Sequence, residues 1–245
     1  MFRSVCLLPG FLLLCFCEKR LLLTDQNVVQ ALQTELQAIR TKLQSLESDN
    51  KALRSEIAQI KRQGLSTYII WGRKDCPHIN GTSLIYTGIT ASKHFNEVGS
   101  GVTMLCLPHD PDSVPSDFLS VHTTGGYSGR IWGSEYEFTY RSVAIDDDAP
   151  CAVCQVQAES VIMVPGKRHC PSGWKNEYVG MLIGSWTGEH PSDYICLDEN
   201  PEFFEGTRSH NDNGRTLYPI RATCGSLPCP PYVNDQFISC IVCSQ

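Results

Sequence analysis

Between Thr24 and Gln63, apolar residues recur with a seven-residue period. Val29, Leu36, Leu43, Asn50 and Ile57 form one series, and Leu32, Ile39, Leu46, Leu53 and Ile60 form a second, three places later. Spacings that alternate three and four keep one stripe on one side of an α-helix, so the pattern predicts a helix with an a/d seam of five heptads over residues 24–63. No Gly or Pro interrupts it before Gly64. The flanking charges set the orientation. Glu35 with Arg40, Lys42 with Glu47, Asp49 with Arg54 and Glu56 with Lys61 are g-to-following-e pairs of opposite sign, which attract between parallel, in-register copies. A helix packed on its own domain also buries an apolar stripe, but it has no need of four such pairs. The predicted element is a parallel coiled-coil homo-oligomer. Asn50 at an a position favours a dimer, whereas Ile39 and Ile60 at d favour three strands, so dimer and trimer both stay open.

After Gly64 the period changes. Residues 67–71, 101–107, 136–143, 151–156, 160–164 and 237–242 are short runs rich in β-branched and aromatic side chains. Clusters of turn formers separate them, such as His109-Asp110-Pro111-Asp112 and Asn211-Asp212-Asn213-Gly214. This pattern predicts mainly antiparallel β structure. Before the heptads, Arg3 precedes an apolar run that ends at Cys17, broken by Pro9 and Gly10 and closed by Glu18-Lys19-Arg20. The run is too short to span a bilayer, and its length and flanks suit a signal peptide over residues 1–17, with a boundary as late as 23. An uncleaved anchor extended by Leu21, Leu22 and Leu23 is the alternative, disfavoured by the charged triplet in its middle. The mature chain is expected to be secreted and to have no membrane span.

Cysteine usage sharpens the picture. Of 13 cysteines, Cys6, Cys15 and Cys17 would leave with the signal peptide, and eight of the remaining ten read as one pattern written twice, with Cys224 and Cys229 standing apart. Cys76, Cys106, Cys151 and Cys154 form the first copy; Cys170, Cys196, Cys240 and Cys243 form the second, and both end in CxVC. Gly72 matches Gly166, Pro77 matches Pro171, and Tyr86-x-Gly88 matches Tyr178-x-Gly180. A tandem duplication follows, with a first β repeat over residues 66–157 and a second over 158–245. An even, patterned set of cysteines behind a signal peptide indicates disulfides in an oxidising compartment. Residues 65–245 carry 11 basic against 20 acidic side chains, which argues against nucleic acid as a partner and suits an extracellular protein kept soluble by charge.

Several of these residues also point to a family. Cys-Pro-Ser-Gly-Trp at 170–174, Tyr178-x-Gly180, Cys196-Leu197 and Ile238-Ser239-Cys240-Ile241-Val242-Cys243 resemble the second half of the C-terminal non-collagenous domain of type IV collagen. Its first half is matched more loosely by Cys76-Pro77, Tyr86-x-Gly88, Cys106-Leu107 and Cys151-Ala152-Val153-Cys154. The whole of 66–245 is closer still to the C-terminal domains of spongin-type short-chain collagens. The resemblance implies the pairs Cys76–Cys154, Cys106–Cys151, Cys170–Cys243 and Cys196–Cys240, with Cys224–Cys229 closing the small CGSLPC loop. From the sequence by itself many other pairings are open. No Gly-x-y repeat occurs, so the chain cannot form a collagen triple helix, and the coiled coil stands where that helix would be.

Other chemistry fits less well. Two CxxC motifs could hold zinc, but they lie 86 residues apart with further cysteines repeating beside them, and strand-like flanks do not lower a thiol pKa for redox work. The seven histidines have no metal spacing, and no nucleophile motif is present. Gly125-Gly126-Tyr127-Ser128-Gly129 lacks a following helical pattern and reads as a turn. Asp146-Asp147-Asp148 and residues 211–214 could offer oxygens to calcium but follow no established loop, so they read as solvated acidic turns. Asn80-Gly81-Thr82 is a glycosylation acceptor site. The sequence therefore predicts a mainly β, disulfide-rich, duplicated domain behind a coiled coil, with no metal or other cofactor. Its expected role is extracellular matrix assembly, or else multivalent lectin-like recognition of matrix proteins or cell-surface glycans. A secreted enzyme is the third and weakest option.

Overall fold

The computed structural model describes residues 12–61, 64–79 and 81–245. The chain divides between Ile60 and Lys61 into two units. The first holds all but the last residue of α1 (Leu12–Lys61), a helix of 50 residues. It starts well before the heptads because Pro9 and Gly10 are the last helix breakers ahead of Gly64. Most of the predicted signal peptide, residues 1–11, lies outside the described residues, as do Arg62 and Gln63. Along α1 every residue from 26 to 58 is exposed, Asn50 included. The seam residues Val29, Leu32, Leu36, Ile39, Leu43, Leu46, Leu53 and Ile57 are 51–64% exposed, and the side chain of Ile60 is outside the described set.

The second unit is built of β1 (Leu65–Trp71), β2 (Thr82–Ser92), β3 (Leu105–Pro108), β4 (Trp132–Tyr136), β5 (Asp147–Asp148), β6 (Pro150–Gln157), β7 (Val161–Pro165), β8 (Lys175–Gly184), β9 (Ile195–Asp198), β10 (Arg215–Pro219) and β11 (Ser239–Ser244). The runs predicted at 67–71, 151–156, 160–164 and 237–242 fall on β1, β6, β7 and β11. The run at 101–107 enters the sheet only at Leu105, because Gly99, Ser100 at a positive φ of 70° and Gly101 bend the chain before it. The run at 136–143 leaves the sheet after Tyr136: Arg141 takes a φ of 54°, and Tyr140 and Val143 bond to each other across a tight turn at 3.0 and 3.1 Å.

Hydrogen-bonded neighbours run β10-β4-β2-β6-β1-β9-β8-β11-β7, and β10 also pairs with β8, so the path returns on itself. Most pairings are antiparallel; β1 with β9 and β10 with β4 are parallel. The antiparallel registers correspond between two segments of this unit, residues 65–157 and 161–244. Trp71 and Tyr68 face Cys151 and Cys154, as Pro165 and Ile162 face Cys240 and Cys243. Gly88 faces Cys151, as Gly180 faces Cys240, and in each pairing the ladder is interrupted beside the tyrosine of Tyr-x-Gly. Cys106 faces Thr90, as Cys196 faces Leu182. The Gly72 amide donates to Pro150 O at 2.8 Å and the Gly166 amide to Ser239 O at 2.7 Å, both from glycines with φ of 75–80°.

Residues of both segments share each apolar core. One cluster gathers Tyr68, Ile70, Ala152 and Val156 with Tyr178, Leu182 and Val242. The other gathers Trp71, Tyr136 and Val143 with Ile183, Leu197 and Leu217. A sheet with side chains alternating on two faces needs cover on both, and here the two segments cover one another.

Candidate functional site

Five disulfides frame the β unit. Cys76 bonds Cys154 and Cys106 bonds Cys151, both across to β6; Cys170 bonds Cys243 and Cys196 bonds Cys240, both across to β11. Cys224 bonds Cys229 across a sequence separation of 5, closing a small loop. These are the pairs that the collagen resemblance implies. Cys151 and Cys154 sit three places apart on one strand, so their side chains leave opposite faces and reach different partners, and the same holds for Cys240 and Cys243. Asn80 lies outside the described residues.

Tyrosines anchor the bridged strands. The hydroxyl of Tyr86 donates to the carbonyl of Cys106 at 3.0 Å. That of Tyr178 lies 3.0 Å from the carbonyls of both Cys196 and Ile69. Glu177, on β8, is buried and gathers Tyr68 Oη, Thr82 Oγ1, Ser244 Oγ and Lys175 Nζ. Burial, and then the Glu177 charge, push the Tyr68 hydroxyl pKa well above its ordinary range. Burial does the same for Tyr178, and for Tyr136 with help from Asp147. Arg215, fully buried on β10, pairs with Glu189 at 2.6 Å; burial lowers its pKa and Glu189 opposes the shift.

Asp147 departs from the solvated turn expected of it, whereas Asn211 and Asp212 are exposed, as a solvated turn requires. Asp147 is fully buried, holds Arg208 at 2.6 and 2.8 Å, and accepts the Ala144 amide. The turn at 211–214 is drawn against β4, where the Asp212 amide donates to Glu135 Oε1 at 3.1 Å. Carboxylate oxygens of Glu135, Glu137 and Asp146 lie within 4.8 Å of one another, the group among the described residues best placed to hold a metal. Asp146 belonged to the sequence candidates, but the two glutamates did not. Their Glu-x-Glu spacing, which puts both on one strand face, was the available signal.

No protein-family model matches the chain, nor does any curated protein. Its function rests on its own surfaces. An open groove of about 630 Å³ runs past Trp186, Tyr194, Tyr218, Arg221 and Phe237. Trp186 is 56% and Tyr194 62% exposed, an unusual share for large aromatic rings. Residues 124–126, within the glycine-rich stretch, form a short 3-10 turn in the exposed connection between β3 and β4. Among the described residues no helix is long and apolar enough to cross a membrane.

Proposed function

We propose that the protein is a secreted structural component of the extracellular matrix: a duplicated, disulfide-closed β module of the collagen end-domain type, presented as a parallel oligomer by its N-terminal coiled coil. The observation that carries this assignment is the correspondence of register between the segments. Gly88 against Cys151 and Gly180 against Cys240, with the same bridges leaving the facing strand, are what a copied unit would preserve. Five disulfides suit an oxidising, extracellular setting. The exposed seam of α1 supports the coiled coil, since a stripe of Val, Leu and Ile more than half exposed on one chain finds cover in further copies. Joined side by side, weak contacts of each β module add up as avidity. The partners are other copies of this chain and matrix proteins.

One observation favours a second reading. The groove beside Trp186, Tyr194 and Tyr218 offers ring faces on which sugars stack, as a multivalent lectin-like protein requires. A single experiment tests both. The full chain is expressed with its leader in eukaryotic cells, and the medium is analysed by sedimentation beside a Leu43→Asp/Leu46→Asp variant. The matrix assignment predicts secretion, a dimer or trimer that the variant reduces to monomer, and slower-sedimenting material giving way to larger assemblies as concentration rises. A monomeric wild-type chain, or retention in the cytosol, would overturn it. Oligomers that never grow further but bind a glycan array through the groove would favour the second reading.

A further inference from the structure

We propose that Glu135, Glu137 and Asp146 form a binding site for a divalent cation of the calcium class, placed where β4 meets β10. Glu135 lies on β4 and Glu137 one residue past its end, so along the extended chain their side chains share a face, while Tyr136 between them enters the apolar core. The returning chain lays Asp148 opposite Glu135 and Asp147 opposite Tyr136. The Asp146 amide then donates to Tyr136 O at 3.0 Å, which brings the third carboxylate over the same face. One oxygen from each of the three lies within 4.8 Å of the others. Oxygens bound to one calcium ion at about 2.3–2.6 Å are no farther apart than about 5.2 Å, so the spacing fits a shared ion.

A second observation points to a ligand. Glu135 is only 3% exposed, and while its Oε1 accepts the Asp212 amide, its Oε2 is buried and has no hydrogen-bond partner. Asp146 Oδ1 is likewise buried and unpartnered. Buried carboxylate oxygens are expected to be satisfied, and these two orphans belong to the same cluster. Among the described residues no ion pair reaches the three carboxylates: Arg208 is held by Asp147, and Arg215 by Glu189. The donors are all carboxylate, with no imidazole or thiolate, which selects a hard cation over zinc or copper. Calcium accepts an irregular set completed by water, whereas magnesium demands near-octahedral order.

The location gives the ion a structural role. The Glu137 amide donates to Leu217 O at 3.0 Å, and Arg215–Leu217 of β10 pairs in parallel with Ser134–Tyr136 of β4. Binding would fasten the seam along which the segment before residue 158 meets the segment after it.

The test uses the full disulfide-bonded chain after dialysis against a chelator. Calcium chloride is titrated by calorimetry and its effect on thermal unfolding is measured, for the wild type and for Glu137→Gln and Asp146→Asn. The site predicts a saturable heat, an upward shift of the melting temperature on calcium addition, and binding about tenfold or more weaker in each variant, since calcium affinity follows ligand charge. Both variants should melt at or above the calcium-free wild type, because each relieves repulsion, so a lost calcium response cannot be ascribed to misfolding. No saturable heat and no shift at millimolar calcium would overturn the site. So would an unchanged calcium response in both variants, or an equal response to magnesium, which would point to diffuse screening of the acidic surface.

Discussion

Gly180 passes so close to Leu197 that a β-carbon on it would sit 1.7 Å from the Leu197 carbonyl oxygen. Gly88 stands in the same relation to Leu107, at 2.1 Å. In each case the leucine follows a bridged cysteine, Cys196 or Cys106, and the glycine follows by two the tyrosine that bonds that cysteine's carbonyl. Tyr-x-Gly is thus one device: the ring fastens the neighbouring strand and the missing side chain lets it approach.

Gly180→Ala and Gly88→Ala should both be strongly destabilising, because the obstacle is backbone and cannot rotate away. The expected cost is at least about 3 kcal/mol each, at the upper end of overpacking effects. Denaturant midpoints of the secreted proteins check it. Gly99→Ala is the control, since nothing lies within 4 Å of its missing β-carbon.

The bridges should differ in worth by the length of chain each closes. Cys106–Cys151 spans 45 residues and Cys224–Cys229 spans 5. Chain-entropy estimates give about 4 kcal/mol for the first and about 2 kcal/mol for the second. Paired Cys→Ser replacements, compared by urea unfolding, should preserve that order. Equal losses would mean that native packing, not restriction of the unfolded chain, dominates.

What could be read in the sequence were features with local or periodic signatures: the heptad stripe, the CxVC endings, and the strands β1, β6, β7 and β11, whose β-branched runs are unbroken. The strands that escaped notice have interiors that look wrong for a sheet. β2 and β8 carry Gly88 and Gly180, which weaken a strand unless another backbone comes near, and the backbone that does is about 20 residues downstream. β10 opens with Arg215, a poor core residue until Glu189, 26 positions away, is brought to it. The acidic cluster was hidden for the same reason. Asp146 reads as the start of a polar turn, and only the pairing of β4 with β5 sets it beside Glu135 and Glu137.

Arg215 and Glu189 form a buried pair, with side chains 0% and 6% exposed. Removing one partner strands the other charge in the core, so Glu189→Gln should cost about 3–5 kcal/mol. Arg215→Met should cost a similar amount, because Glu189 would retain only Thr216 Oγ1, at 2.6 Å. The double variant should cost clearly less than the two losses added together. A double-mutant cycle by denaturant unfolding measures the difference, and strict additivity would show that the two side chains act independently.

Alkaline pH should unfold the β unit through its tyrosines. Tyr68, Tyr136 and Tyr178 are 7%, 0% and 5% exposed, and each has its hydroxyl pKa raised, chiefly by burial. In the unfolded chain a tyrosine ionises near pH 10. Below that value both states hold the proton and stability does not depend on these groups. Above it the unfolded chain releases protons that the native state retains, so stability falls as pH rises, by about 1.4 kcal/mol per pH unit for each tyrosine. Three together give about 4 kcal/mol per unit, enough to unfold a domain of ordinary stability within a few units. Phenolate absorbance followed beside circular dichroism checks this: of the nine tyrosines, these three should ionise only as the β signal collapses. Tyr136→Phe should reduce the slope of stability against pH by about one third. Complete ionisation with the β signal intact would show that the three hydroxyls are open to solvent.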